Sequence, residues 1–128
     1  MQRSELVGTW RLTSSTRVGE DGVSTRPWGE APIGFITYTD NWMSVHIMSS
    51  DRPSDSEKAA AGDTYVSYAG TYAVVDDEIH HHIQASSRPD WVGTILVRRA
   101  GLDGGALTLS SVSGGLTWTN EWTPFIPS

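Results

Sequence analysis

Cysteine is absent from the 128 residues, which excludes disulfides, thiolate nucleophiles and cysteine-ligated metals. Positive charge is scarce as well: nine Lys and Arg face fifteen Asp and Glu, for a net charge of −6, and no basic cluster is longer than Arg98-Arg99. Such a chain lacks the electrostatic footprint of a nucleic-acid binder, and no nucleic-acid partner is expected. No stretch approaches the roughly 20 apolar residues of a membrane helix, and Met1 to Leu6 runs into patterned sequence with no apolar signal region. The expectation is a soluble cytoplasmic protein with no membrane contact. The length suits one domain with one core, residues 1–128, and is too short for two ordinary domains.

What the chain has in abundance is tryptophan, six in all, a large amphipathic side chain that either fills a core or stacks on a ligand. It also has the rhythm of short strands bounded by turn residues. The pattern predicts strands at Leu6–Thr13, Val23–Arg26, Ile33–Thr39, Trp42–Met48, Tyr65–Val75, Glu78–Ser86, Gly93–Arg99, Ala106–Ser111 and Leu116–Thr123. Turns fall at Asp40-Asn41, Asp76-Asp77, Gly101 to Gly105 and Gly114-Gly115. One polar interruption reads as a short helix, with a Ser54/Glu57 capping box, an alanine run and Gly62 to stop it. That helix is placed to act as a lid over one mouth or as a plug. Thr123 to Ser128 reads as a tail whose Phe125 and Ile126 pack outside. The fold class is all-β, an antiparallel sandwich or barrel of eight or nine strands with one short helix.

Alternation along the strands sorts the side chains by face. In Ile79-His80-His81-His82-Ile83 the two isoleucines carry His81 inward, while His80 and His82 face out and cannot converge with it on a metal. No metal site is expected. An imidazole, with its reference pKa of about 6.5, can exchange protons or hydrogen-bond a ligand in an apolar cavity; the alternative is a core histidine with its partners satisfied. Ile36 and Tyr38 share a face, as do Tyr68, Tyr72 and Val74, and Met43 and Val45 form the preferred lining of their strand. Trp118 and Trp122 join the inward aromatic set, and Trp91 and Asp90 fall in a loop at a rim. Acidic residues sit in turns and at the helix start, so a two-carboxylate hydrolase is disfavoured. No Gly-x-Ser-x-Gly elbow or phosphate-cradling loop is present.

Gly8-Thr9-Trp10, Trp28-Gly29-Glu30-Ala31-Pro32-Ile33-Gly34-Phe35-Ile36-Thr37-Tyr38, Met43-Ser44, Tyr68-x-Gly70-x-Tyr72, His81, the Ser86 to Gly93 loop and Arg98 form an ordered set. Together they resemble the bacterial and fungal lipocalin-like domain proteins over about nine tenths of the chain. The resemblance implies an all-β fold, a single closed antiparallel barrel of about eight strands of the calycin type with one short helix, around a cavity for a small, mostly hydrophobic molecule. Relatives are associated with natural-product pathways, and barrels of similar shape include cofactor-free cyclases and isomerases as well as carriers. It further implies that a late-strand arginine, Arg98 or Arg99, packs on the Trp10 indole. Two positions depart from the family: Trp118-Thr119-Asn120 lacks the arginine common after that tryptophan, and Arg88 replaces an apolar loop residue.

The reading is a barrel that binds a small hydrophobic or aromatic molecule. It acts as a cofactor-free isomerase or cyclase of secondary metabolism, or as a non-catalytic carrier or sensor. His81, Tyr38, Tyr72 and Arg98 would supply proton transfer or oxyanion stabilisation. Ile36, Met43, Val45, Tyr68, Ile83, Trp91 and Trp118 would contact the ligand. No cofactor is expected, and the chain is compatible with a monomer or a homodimer.

Overall fold

The computed structural model describes residues 1–126. Nine strands form one antiparallel sheet: β1 (Gly8–Val18), β2 (Ser24–Thr25), β3 (Ile33–Tyr38), β4 (Trp42–Met48), β5 (Tyr65–Val75), β6 (Glu78–Ser86), β7 (Ile95–Asp103), β8 (Ala106–Ser113) and β9 (Leu116–Pro124). The strands from β3 to β9 meander in chain order, and β1 pairs with both β3 and β9, so eight strands close into a barrel and β2 extends the far end of β1. Closure leaves no unpaired edge around the barrel.

β1 runs five residues past the expected end at Thr13. Leu12 pairs with Trp122 and Ser14 with Glu121, so Thr13 is an extra, bulged residue. The bulge shifts the alternation. Trp10 and Leu12 point inward before it and the buried Ser15 after it, so a polar half-strand continues a barrel wall that hydrophobic periodicity cannot reveal. β7 likewise runs on to Asp103, because Gly101 pairs with Thr108 within the ladder and the turn tightens to Gly104-Gly105, both at positive φ.

A second bulge shapes the wall below the cavity. On β6 the partners of Ala69 and Gly70 are Ala85 and Ile83, which leaves Gln84 extra. A Cβ on Gly70 would stand 1.7 Å from the His82 carbonyl oxygen, so only glycine lets the two backbones approach here.

The helix α1 (Ser56–Ala61) occupies the connection between β4 and β5 and ends at Gly62 as expected. Its cap differs from the expected box. Asp55, rather than Ser54, accepts from the N–H groups of Glu57 and Lys58, a carboxylate being the stronger acceptor at the positive end of the helix. At the C-terminus β9 reaches Pro124, and Phe125 donates its N–H to the Thr9 carbonyl and packs edge-on against Phe35 outside the barrel. The last two residues of the expected tail, at 127 and 128, lie outside the described residues.

One end of the barrel is solid. Leu6, Trp10, Met43, Ile79 and Leu107 are buried there with Tyr38 and Tyr72. The Trp10 indole donates to the Leu6 carbonyl at 2.9 Å, and Arg3 lies over the Tyr72 ring, 4.4 Å from its centroid, while donating to the Tyr72 and Asp40 carbonyls. The expected arginine on Trp10 is therefore not found. Arg99 faces out toward Asp77, Arg98 serves the cavity, and the cation at the closed end comes from the N-terminal turn and stacks on a tyrosine.

Gly70→Ala should lower stability by at least about 1–3 kcal/mol, the usual cost of forcing extra volume into a packed position, measured by urea unfolding. A Gly101→Ala control, where a Cβ meets no atom within 4 Å, should change stability far less.

Candidate functional site

Three neighbouring strands build the chemical centre. β5 supplies Tyr68, β6 supplies His81 and β7 supplies Arg98. His81 is fully buried, with Nε2 2.7 Å from the Tyr38 hydroxyl and Nδ1 3.0 Å from the Tyr68 hydroxyl. Burial, reinforced by the charges of Arg98, His80 and His82, pulls its pKa down to about 3, so the ring is neutral at physiological pH. A neutral imidazole has one N–H and one lone pair.

Hydrogen-bond accounting then fixes the direction of the chain. The deeply buried Tyr38 hydroxyl has no other acceptor than Nε2 among the described residues, so it donates there. Nδ1 therefore carries the proton and donates to the Tyr68 oxygen. Tyr68 keeps its own hydroxyl proton for a different acceptor. Burial raises the pKa of both phenols, Tyr38 well above the usual tyrosine value, and the Arg98 guanidinium opposes part of each rise. All three rings are neutral hydrogen-bonding groups, and none is a strong base.

Above this triad lies a cavity of about 690 Å³, within the roughly 300–1,000 Å³ of small-molecule sites. Its floor and walls are Ile36, Val45, Ile47, Val66, Tyr68, Leu96, Arg98, Leu109, Trp118, Asn120 and Trp122. Its mouth is the end opposite Trp10, rimmed by Pro27, Trp28, Asp63, Arg88, Trp91 and the exposed aliphatics Ile95, Val97 and Val112. A connected set of contacts runs inward from this rim. Arg88 pairs with Asp63 at 3.1 Å, its guanidinium lies 4.8 Å from the Trp91 ring centroid, and Trp91 packs edge-on against Tyr68. The helix precedes Asp63 in the connection to this rim, and none of its side chains from Ser56 to Ala60 forms part of the cavity wall.

Of the residues expected to act on a ligand, Arg98 reaches the cavity. His81, Tyr38 and Tyr72 lie beneath its floor, and Tyr68 is the link between them and the interior. Tyr72 donates at 2.6 Å to the Thr39 carbonyl and stacks edge-on against Tyr38. Among the expected ligand contacts Ile36, Val45, Tyr68, Trp91 and Trp118 line the cavity, whereas Met43 and Ile83 are buried outside it.

Sequence reasoning gave no ligand role to Arg17, Trp28 or Asn120. Arg17 comes into phase only through the Thr13 bulge, and Trp28 sits in a loop without periodicity. Asn120 was accessible, since it keeps the phase of Trp118 and Trp122. His80 and His82 are on the outer face, His80 beside Glu78. Among the described residues no three His, Asp or Glu side chains converge to hold a metal ion, and no helix is long and apolar enough to cross a membrane.

A meander of eight strands closed by its first strand, solid at the Gly-x-Trp end and hollow at the other, defines a lipocalin-type barrel. The chain belongs to the lipocalin-like domain family, whose model matches residues 7–123. Among solved structures it is similar to a mutant of the fluorescent protein UnaG, at 14% identity and a TM-score of 0.52, with 98% of this chain and 100% of that one covered. At that identity the likeness is one of fold. No curated protein matches the chain.

Because burial holds the folded His81 pKa near 3, the unfolded chain, with a histidine pKa of about 6.5, binds the extra proton between these values. Folding stability should therefore fall as the pH drops from about 6.5 toward 3, by up to about 1.4 kcal/mol per unit from this residue, and be indifferent to it above 6.5. Subtracting the urea-unfolding profile of His81→Gln from that of the wild type isolates this contribution. Tyr38→Phe leaves Nε2 without its donor and should cost about 1–3 kcal/mol in the same assay.

Proposed function

We propose that the protein binds a small, largely apolar or aromatic molecule inside the barrel and works as a carrier or sensor. The observation that supports this reading most is the pairing of an aromatic, aliphatic cavity of about 690 Å³ with a few fixed polar groups on one wall. The Tyr68 hydroxyl, oriented by His81, and the Arg98 guanidinium would fix the ligand's polar end, and Trp91 and Trp118 would stack on its body. His81 and Tyr38 act through Tyr68 as positioning residues. Their neutrality suits a hydrogen-bond scaffold better than a proton relay.

A second reading, a cofactor-free isomerase or cyclase of secondary metabolism, is favoured by one feature. Tyr68 and Arg98 set a proton donor and a fixed cation side by side, an arrangement that stabilises a developing oxyanion. Catalysis would then run through these two side chains, with shape complementarity of the cavity restricting the substrate.

Four tryptophans, Trp28, Trp91, Trp118 and Trp122, border the cavity, so occupancy should change the intrinsic fluorescence. Native mass spectrometry of the purified protein, followed by denaturing extraction, should recover an apolar small molecule, and re-addition of it should titrate that fluorescence. Tyr68→Phe should weaken binding about tenfold, the worth of one hydrogen bond of about 1.4 kcal/mol. Recovery of the ligand chemically altered after incubation, abolished in Tyr68→Phe at saturating ligand, would establish the isomerase or cyclase reading over the carrier.

A further inference from the structure

The polar groups of the cavity are unbalanced. Three guanidinium groups border it, those of Arg17, Arg88 and Arg98, against one carboxylate, Asp63. Asp63 is at the rim and already pairs with Arg88. Arg17 lies over the Trp118 ring, 5.4 Å from its centroid, and Arg98 donates to the Val97 carbonyl. Neither has a carboxylate partner among the described residues. An interior that carries excess positive charge is unexpected in a protein whose net charge is −6.

The neutral groups lean the same way. Tyr68 accepts from His81 and so presents its own proton to an acceptor. The buried Ser15 hydroxyl donates to Asn120 Oδ1 at 2.6 Å, which turns the two Nδ2 protons of Asn120 toward the rest of the wall it forms. Trp122 is 1% exposed, borders the cavity, and its indole N–H finds no acceptor among the described residues. Donors thus come from β1, β5, β7 and β9, and an unpaired buried donor is costly until something accepts from it.

We infer that the ligand is an organic anion, an apolar body bearing a carboxylate or an enolate-type oxygen, held by Arg98 and the Tyr68 hydroxyl on one wall with Asn120 and Arg17 opposite. This rests on the cavity-binding reading and gives it a chemical class. The guanidinium supplies a charge-assisted pair and the phenol a second, shorter hydrogen bond to the same group. The apolar body fills the space between Ile36, Val45, Leu109 and Trp118.

Three probes of one shape separate the possibilities: pyrene carboxylate, pyrene methanol and pyrene methylammonium, titrated into the full chain by tryptophan quenching. The carboxylate should bind at least about tenfold more tightly than the alcohol, with the ammonium weakest, as a charge-assisted hydrogen bond predicts. Arg98→Met, which keeps the aliphatic stem, should erase the carboxylate's advantage over the alcohol, with the urea-unfolding midpoint of the variant serving as the control for folding. Equal binding of carboxylate and alcohol, or tighter binding of the ammonium, would overturn the anion assignment while the cavity reading stands. Binding of none of the three would sink both. Should Arg98→Met fail to fold, the ranking of the three probes on the wild type decides alone.

Discussion

A neutral imidazole with both ring nitrogens engaged divides this barrel into a solid half and a hollow half. Around His81 the rings of Tyr38 and Tyr68 converge from β3 and β5. Each needs the imidazole as its partner, since a phenol or imidazole left unpaired at that depth costs more than the bond itself returns. Below this group the side chains interlock with Trp10, Met43, Ile79 and Leu107 as an ordinary core. Above it the residues no longer meet across the barrel, and space remains for a ligand. The hydrogen bonds also orient: because Tyr38 must donate, His81 must donate onward, and the Tyr68 proton is aimed away from the core. The network that ties the core together thus also orients Tyr68, the one of the three side chains that borders the cavity.

Charge is partitioned with equal consequence. The acidic excess lies in turns and on the outer surface, while the interior holds arginines that are not neutralised by carboxylates within reach. Field strength inside a low-dielectric barrel exceeds that of the same charges in water. An oxygen placed there would gain more from Arg98 and Tyr68 than from a surface arginine, because solvent competes less. The Arg88–Trp91 stack and the Asp63–Arg88 pair stand at the rim of that space and make it charged.

The succession of strands and most inward faces were legible in the chain, because period-two alternation and glycine or aspartate turns are local signals, while closure into a barrel came from the family resemblance. β4, β5 and β6 have the limits expected of them, and Gly-x-Trp lies at the closed end. What escaped was non-local. The Thr13 bulge reverses the phase of β1 and brings Ser15 and Arg17 inside, and no composition signal marks it. Trp10 was expected to meet a late-strand arginine, but the turn at Leu6 satisfies its N–H and Arg3 caps Tyr72. Inward orientation was also too coarse a criterion for a site: His81, Tyr38, Tyr72, Met43 and Ile83 all point into the barrel and none borders the cavity.

By itself the sequence determined an all-β, antiparallel class, since strands with one apolar face joined by tight turns must pack those faces against one another, and the family resemblance narrowed sandwich or barrel to a closed barrel. Only the tertiary structure decided where the packed core stops and the cavity begins, which tyrosine links the two, and which arginines remain without counter-charges. Depth along a barrel axis depends on strand tilt, register and bulges, and these are fixed when distant strands pair.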